Sequence, residues 1–239
     1  MEELLYNTGF GNFFATEAEP GTVPKGRNNP QNVAHGLYAE QLSGDAFTAV
    51  PDDNRRSWLY RILPSVVHQP FEPSLKADFL SAPAPEDAVV VPDQLRWSAF
   101  PIPDTKVNFV DGIKTLCLHG EVGVDGCAVH YYTCNESMGR EVFYNADGDF
   151  LIVPQLGALW ITTEMGRLSV SPKEIVVIPR GVKFKVALRD ASARGYICEN
   201  YGAHFKLPYR SVIGANGLAN ERDFEHPVAW YEDDPTEHI

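Results

Sequence analysis

Seven histidines, four cysteines and 32 aspartates and glutamates are the groups in this 239-residue chain that can grip a metal or move a proton. Their spacing limits the chemistry open to them. His119 and Glu121 stand two apart on an expected strand and so share a face. His130 follows on the next strand, beyond Asp125-Gly126. With those two residues as the centre of a hairpin, Glu121 lies opposite His130, and moving the turn by one residue puts His119 there instead. Two imidazoles and a carboxylate on one face make a facial triad suited to ferrous iron. The plainer reading, which we prefer, is an exposed polar face with a cross-strand Glu–His pair worth less than about 1 kcal/mol. His35, His68, His204, His226 and His238 form no H-x-H, H-x3-H or H-E-x2-H spacing. Cys117, Cys127, Cys134 and Cys198 form no C-x-x-C pair, which removes the commonest zinc and redox signatures. They read as structural free thiols in reducing surroundings, with Cys127 and Cys134 acting as small hydrophobes in an apolar stretch. No nucleophile elbow, Walker loop or dinucleotide fingerprint is present, so the residues alone define no catalytic centre.

The elements that must position these groups are strands. Lys114–Glu121, Ala128–Thr133, Arg140–Tyr144, Phe150–Pro154, Gly157–Thr163, Gly166–Ser171, Glu174–Ile178, Lys183–Leu188 and Gly195–Glu199 are short and rich in β-branched or aromatic residues. Asp125-Gly126, Asp147-Gly148, Gly157, Gly166, Gly181 and Gly195 punctuate them. Strands and turns alternating at roughly 8–12-residue intervals indicate an all-β sandwich or barrel over residues 107–204. Residues 1–75 are dense in glycine, proline and asparagine yet carry Phe10, Phe13, Phe14, Phe47, Trp58, Tyr60 and Phe71. Disordered chain has too little apolar surface to bury, so this aromatic content implies an ordered arm, with one strand at Ser57–Leu63. Residues 76–106 form a proline-rich connection with a short strand at Ala88–Val91, and residues 205–239 return to loops.

Composition excludes several functions. A formal charge of −12 and the lack of a basic stripe argue against nucleic acid. No apolar run approaches the roughly 20 residues a membrane helix needs, so no membrane partner is expected. The acidic opening MEELLYNT lacks the basic start of a secretory signal, and the plain reading is a cytoplasmic protein.

A jelly roll with these turns resembles the cupins, whose metal is held through the motifs G-x5-H-x-H-x3,4-E-x6-G and G-x5-P-x-G-x2-H-x3-N. Glu141 and Gly148 fit the end of the first motif, but Asn135 to Arg140 supply no paired histidines. Pro179 and Gly181 fit the second, but Lys183 stands nearest the expected imidazole, and an ammonium repels a divalent cation. The expected fold is therefore an all-β, cupin-like jelly roll or β-sandwich that keeps its bends and lacks metal ligands, preceded by a long loop-rich arm.

Longer strings carry a closer resemblance. YNTGFGN (6–12), GRNNPQ (26–31), LYAEQLSGDAF (37–47), RSWLYRILPS (56–65), FYNADGDFLIVPQLG (143–157), EIVVIPRGVKF (174–184), RGYICE (194–199), IGANGLANERD (213–223) and VAWYED (228–233) resemble the homogentisate 1,2-dioxygenase family, in order and across essentially the whole chain. The resemblance implies the amino-terminal portion of a non-haem Fe(II) enzyme. Such an enzyme opens the ring of homogentisate with O2 to give maleylacetoacetate, in tyrosine and phenylalanine catabolism. It further implies trimers paired into hexamers, and iron ligands and an acid-base histidine that fall beyond Ile239. On that reading this chain carries no catalytic or metal-binding residue, binds no cofactor and is inactive alone. Tyr6, Asn29 and Gln31 in the arm are the candidates for touching substrate or a neighbouring subunit. The alternative is a metal-free cupin-like module for binding or oligomerisation.

Overall fold

A computed structural model describes residues 4–10, 14–25, 32–41, 58–68, 70, 79–80, 86, 93, 96–207, 219–233 and 237–238. They gather into two compact units. One is built from Leu5–Glu72 with Glu221–Asp234, and the other from Met1–Leu4, Pro73–Asn220 and Pro235–Ile239.

The first unit is held by short strands and aromatic contacts. Strand β1 (Tyr6–Thr8) is followed by β2 (Tyr38–Gln41) and β3 (Trp58–Arg61), which pair antiparallel with each other. Glu40 locks that pair, taking Arg61 Nε at 2.7 Å and the Ser65 amide at 3.0 Å. The strand expected at Ser57–Leu63 is thus present in its central four residues. Aromatic side chains supply the apolar surface that the glycine-rich text lacks: Phe10 packs on Phe224 and Phe14 on His226.

The second unit contains all nine strands that the spacing implied: β4 (Ile113–Glu121), β5 (Asp125–Cys134), β6 (Glu141–Val142), β7 (Asp149–Leu156), β8 (Leu159–Thr163), β9 (Gly166–Val170), β10 (Val176–Ile178), β11 (Phe184–Leu188) and β12 (Ala193–Asn200). Five of them form an antiparallel sheet in the order β10-β7-β12-β5-β4, and three form a second in the order β11-β8-β9. This is the expected all-β sandwich. Alternation fixes which side chains enter it. In β12, Ala193, Ile197 and Glu199 are buried while Arg194, Tyr196 and Cys198 face out. Phe109, Tyr132, Phe143, Phe150, Ile152, Ile161, Phe184 and Ile197 fill the interior, each burial worth about 1.5–3 kcal/mol.

The tail is less plain than its glycines and asparagines suggest. Strand β13 (Glu225–Pro227) pairs antiparallel with β1, and β14 (Glu237–His238) runs parallel to β6. The strand expected at Ala88–Val91 lies outside the described residues.

Two irregularities interrupt the five-stranded sheet. The pairing of β4 with β5 slips between Thr115 and Cys117, leaving Leu116 as an extra residue, and that of β12 with β7 slips so that Gln155 is unpaired between Pro154 and Leu156. Such bulges bend a strand and re-aim its side chains.

Candidate functional site

The facial triad does not form. The hairpin turns at Val122-Gly123, with Gly123 at φ 79° and the Val124 amide on the Glu121 carbonyl, and not at Asp125-Gly126. Asp125 and Gly126 belong to β5. Gly120 and Gly126 face each other there so closely that a Cβ on either would meet backbone at 2.1–2.2 Å, which is why both positions are glycine. In this register Glu121 pairs with Asp125, His119 with Cys127, and, after the slip at Leu116, His130 with Thr115. His119 and Glu121 are exposed, whereas His130 is fully buried inside the sandwich.

His130 belongs instead to a network that the spacing did not single out. Its Nε2 lies 3.1 Å from Glu199 Oε2, with both side chains fully buried. Tyr201 Oη donates to the same carboxylate oxygen at 3.2 Å, and Asn145 Nδ2 donates to the other. The Leu80 amide donates to Thr115 Oγ1 at 2.8 Å, and Thr115 Oγ1 lies 3.0 Å from His130 Nδ1. A proton on the ring Nε2 satisfies every group of this network. The threonine hydroxyl donates to Nδ1, and the ring N–H points at the carboxylate. Asn145 is held by the amides of Asp147 and Gly148 on its own Oδ1. Phe79 stands edge-on to the imidazole at 5.6 Å, with Phe143 and Phe150 around it. The turn glycine of the first cupin motif serves this network, since a Cβ on Gly148 would sit 3.0 Å from Glu199 Cγ and 2.6 Å from the Asn200 carbonyl.

The signal for Glu199 was the alternation Ala193, Gly195, Ile197, Glu199, which puts the carboxylate on the buried side of β12; Ala128, His130, Tyr132 and Cys134 do the same on β5. A second buried carboxylate ties the loop after β12 to the sheet. Asp149 accepts the amides of Arg180 and Phe205, each at 2.8 Å, and lies 2.9 Å from His204 Nδ1.

Iron does not fit the residues placed here. The imidazole and carboxylate that face each other already spend their donors and acceptors on side chains. Among the described residues no three His, Cys, Asp or Glu side chains stand where they could hold a metal ion. Glu141 receives Asn108 Nδ2 at 3.5 Å, and Gly181 (φ 81°) donates its amide to the Asn145 carbonyl, so the remaining cupin-motif positions serve bends and bracing. Of the thiols, Cys134 is buried and its ionisation is pushed up to about 12 by burial. Cys127, expected among the small hydrophobes, is exposed on the outer face together with Cys117. Tyr6 pairs with Pro227 across β1 and β13, while Asn29 and Gln31 lie outside the described residues.

Residues 5–239 match a family model described as the amino-terminal part of homogentisate 1,2-dioxygenase. The chain is similar to homogentisate 1,2-dioxygenase of Caenorhabditis elegans, with 55% identity over 243 residues that take in 98% of this chain and 54% of the relative. It thus spans about half the length of the curated relative it matches. Among solved structures it is similar to a putative mannose-6-phosphate isomerase from Ralstonia eutropha (13% identity, TM-score 0.36, 47% of this chain and 100% of the other). A cupin-2 domain containing protein from Shewanella frigidimarina is also similar (18% identity, TM-score 0.28, 36% of this chain and 80% of the other).

Proposed function

The chain belongs to the homogentisate 1,2-dioxygenase family, and from that premise we propose that it is the amino-terminal portion of a ring-opening dioxygenase whose iron is held by the part of the longer relatives that it does not span. The observation that carries this reading is 55% identity along 98% of this chain against only 54% of the relative. The full enzyme would open the ring of homogentisate with O2 to give maleylacetoacetate, a step of tyrosine and phenylalanine catabolism, with non-haem Fe(II) as the cofactor that would supply the O2 chemistry. No step is assigned to side chains of this chain, because its inward-facing His130 and Glu199 are saturated by Thr115, Asn145 and Tyr201. Its part is scaffolding. The sandwich packs within a cytoplasmic trimer that pairs into a hexamer, and Tyr6, Asn29 and Gln31 of the arm hydrogen-bond the substrate's carboxylate or phenol at a neighbour's active-site mouth.

Metal analysis and oxygen uptake on the purified chain, supplied with ferrous iron and homogentisate, test this. The expected result is no stoichiometric iron and no turnover, with activity appearing when the remaining segment of the family protein is added. Tightly held iron, or ring opening by this chain alone, overturns it. In the full enzyme, Gln31→Ala is expected to raise the Michaelis constant with the oligomer intact, and an unchanged constant removes the arm from the substrate site.

A further inference from the structure

The outer face of the five-stranded sheet carries a groove of about 310 Å3 that the reading above leaves unused. Its walls include Trp97, Phe100, Tyr131, Tyr196, Gln155 and Arg194. Both extra residues of the sheet, Leu116 and Gln155, line it, so the two bulges converge on one place. Bulges cost ladder hydrogen bonds and tend to sit where a side chain is re-aimed for use. Here the slip in β7 aims the Gln155 amide oxygen at Arg194 Nε, 2.8 Å away, and the Phe100 carbonyl takes Arg194 Nη1 at 3.2 Å. Phe100 is itself stacked flat on Tyr131, with centroids 3.6 Å apart and planes 7° from parallel. The guanidinium is therefore oriented by two neutral acceptors on a stiff aromatic support.

What that guanidinium lacks is an anion. In a chain with 12 excess negative charges, no carboxylate among the described residues pairs with Arg194. A fixed guanidinium with spare N–H groups matches a carboxylate in two parallel hydrogen bonds. The exposed rings beside it, Trp97 at 48% and Tyr196 at 40%, offer faces on which a planar apolar group can lie. The cavity is at the small end of ligand pockets, which suits one ring with a short acid arm and excludes a nucleotide cofactor.

We propose that this groove binds a small aryl carboxylate, with the acid on Arg194 and the ring against Trp97 and Tyr196. The proposal stands on the groove's own geometry and is independent of where the family's iron resides.

The test is a titration of the 239-residue chain with phenylacetate, read by the indole N–H resonance of Trp97, which Trp97→Phe identifies. Saturable shifts are expected. Phenylacetamide, which keeps the ring and loses the charge, and acetate, which keeps the charge and loses the ring, are each expected to bind at least about tenfold more weakly, the scale of one charge-assisted contact. Arg194→Gln is expected to weaken phenylacetate by a similar factor. Because that substitution also releases the Phe100 carbonyl, the two ligand analogues decide the matter on the unaltered chain. The proposal is overturned if the indole shows no saturable shift, if phenylacetamide binds as well as phenylacetate, or if acetate does.

Discussion

The two faces of the five-stranded sheet are made by the same strands and have opposite characters. Inward, β5 and β12 present His130 and Glu199, two ionisable side chains with no exposure at all and a partner for every donor and acceptor. Outward, the same strands present Val129, Tyr131, Arg194, Tyr196 and Cys198, an apolar surface with one cation that no carboxylate among the described residues answers. Antiparallel sheets commonly put polar residues on their outer face. The inversion is instructive because the buried His130–Glu199 network closes on itself, and a closed network has no valence left for a ligand. Chemistry directed at another molecule needs spare donors or acceptors, and on the outer face the Arg194 guanidinium keeps N–H groups beyond those given to Gln155 and Phe100.

Glu199 is the centre of the inner network. Glu199→Ala removes the acceptor of three side chains at once and leaves His130, Asn145 and Tyr201 with buried unpaired donors. A loss of about 3–5 kcal/mol in urea unfolding is expected, a large share of the ~5–15 kcal/mol that holds a domain. A loss below about 1 kcal/mol would mean the inner network is not a stabilising unit.

Alkaline pH strikes the same interior by another route, with a smaller effect. Burial holds the Cys134 thiol up to about 12 and raises the Tyr132 phenol above its ordinary value, so both stay protonated in the folded chain where the unfolded chain has begun to release protons. A raised folded-state value gives stability that is complete below the unfolded value and lost as pH rises toward the folded one. For Cys134 that window opens near 9 and closes near 12. Between pH 8 and 10.5 its contribution amounts to about 2 kcal/mol. Cys134→Ala should flatten the stability curve over this range, and a thiol reagent at pH 8 should modify Cys117 and Cys127 well before Cys134. An equally steep curve in the variant assigns the loss to other groups.

The asymmetry between the faces also explains what the sequence could disclose. The nine strands of the sandwich were legible because apolar residues recur with period two and glycine or aspartate breaks each run, as in ALWITT followed by EMG. Register was not. Three glycines within seven positions, Gly120, Gly123 and Gly126, each suit a turn, and only the backbone contact between the outer two makes Gly123 the turn residue. That turn sets Glu121 opposite Asp125 and His119 opposite Cys127, which dissolved the His119–Glu121–His130 constellation, and the extra residue Leu116 then brings Thr115 opposite His130. Glu199 was accessible in principle from its alternation with Ile197. Its partner Asn145 lies 54 positions away, a pairing that strand period alone cannot supply. Strands β13 and β14, three and two residues long, are too short to show any period.

A milder cut separates support from saturation within the network. Thr115→Val keeps the β-branched shape but withdraws the donor to His130 Nδ1 and the acceptor of the Leu80 amide. About 1–2 kcal/mol of unfolding free energy is expected to go, less than at Glu199, because the carboxylate and its three donors persist. A cost equal to that of Glu199→Ala would make Thr115, not the carboxylate, the centre of the network.

The smallest expected effect tests the outer face. Val176 and Val177 are neighbours on β10, the first buried and the second 38% exposed. Valine to threonine at either site preserves shape and strand preference and replaces a methyl by a hydroxyl. At Val176 that hydroxyl enters the core, and a loss of about 1–3 kcal/mol is expected. At Val177 it meets water, and the change should stay within about 0.5 kcal/mol. Unfolding of both variants at two protein concentrations checks this. A loss at Val177 matching that at Val176, and growing with concentration, would show that the outer face is buried against a second copy. Arg194 would then have a subunit to answer it in place of a small acid.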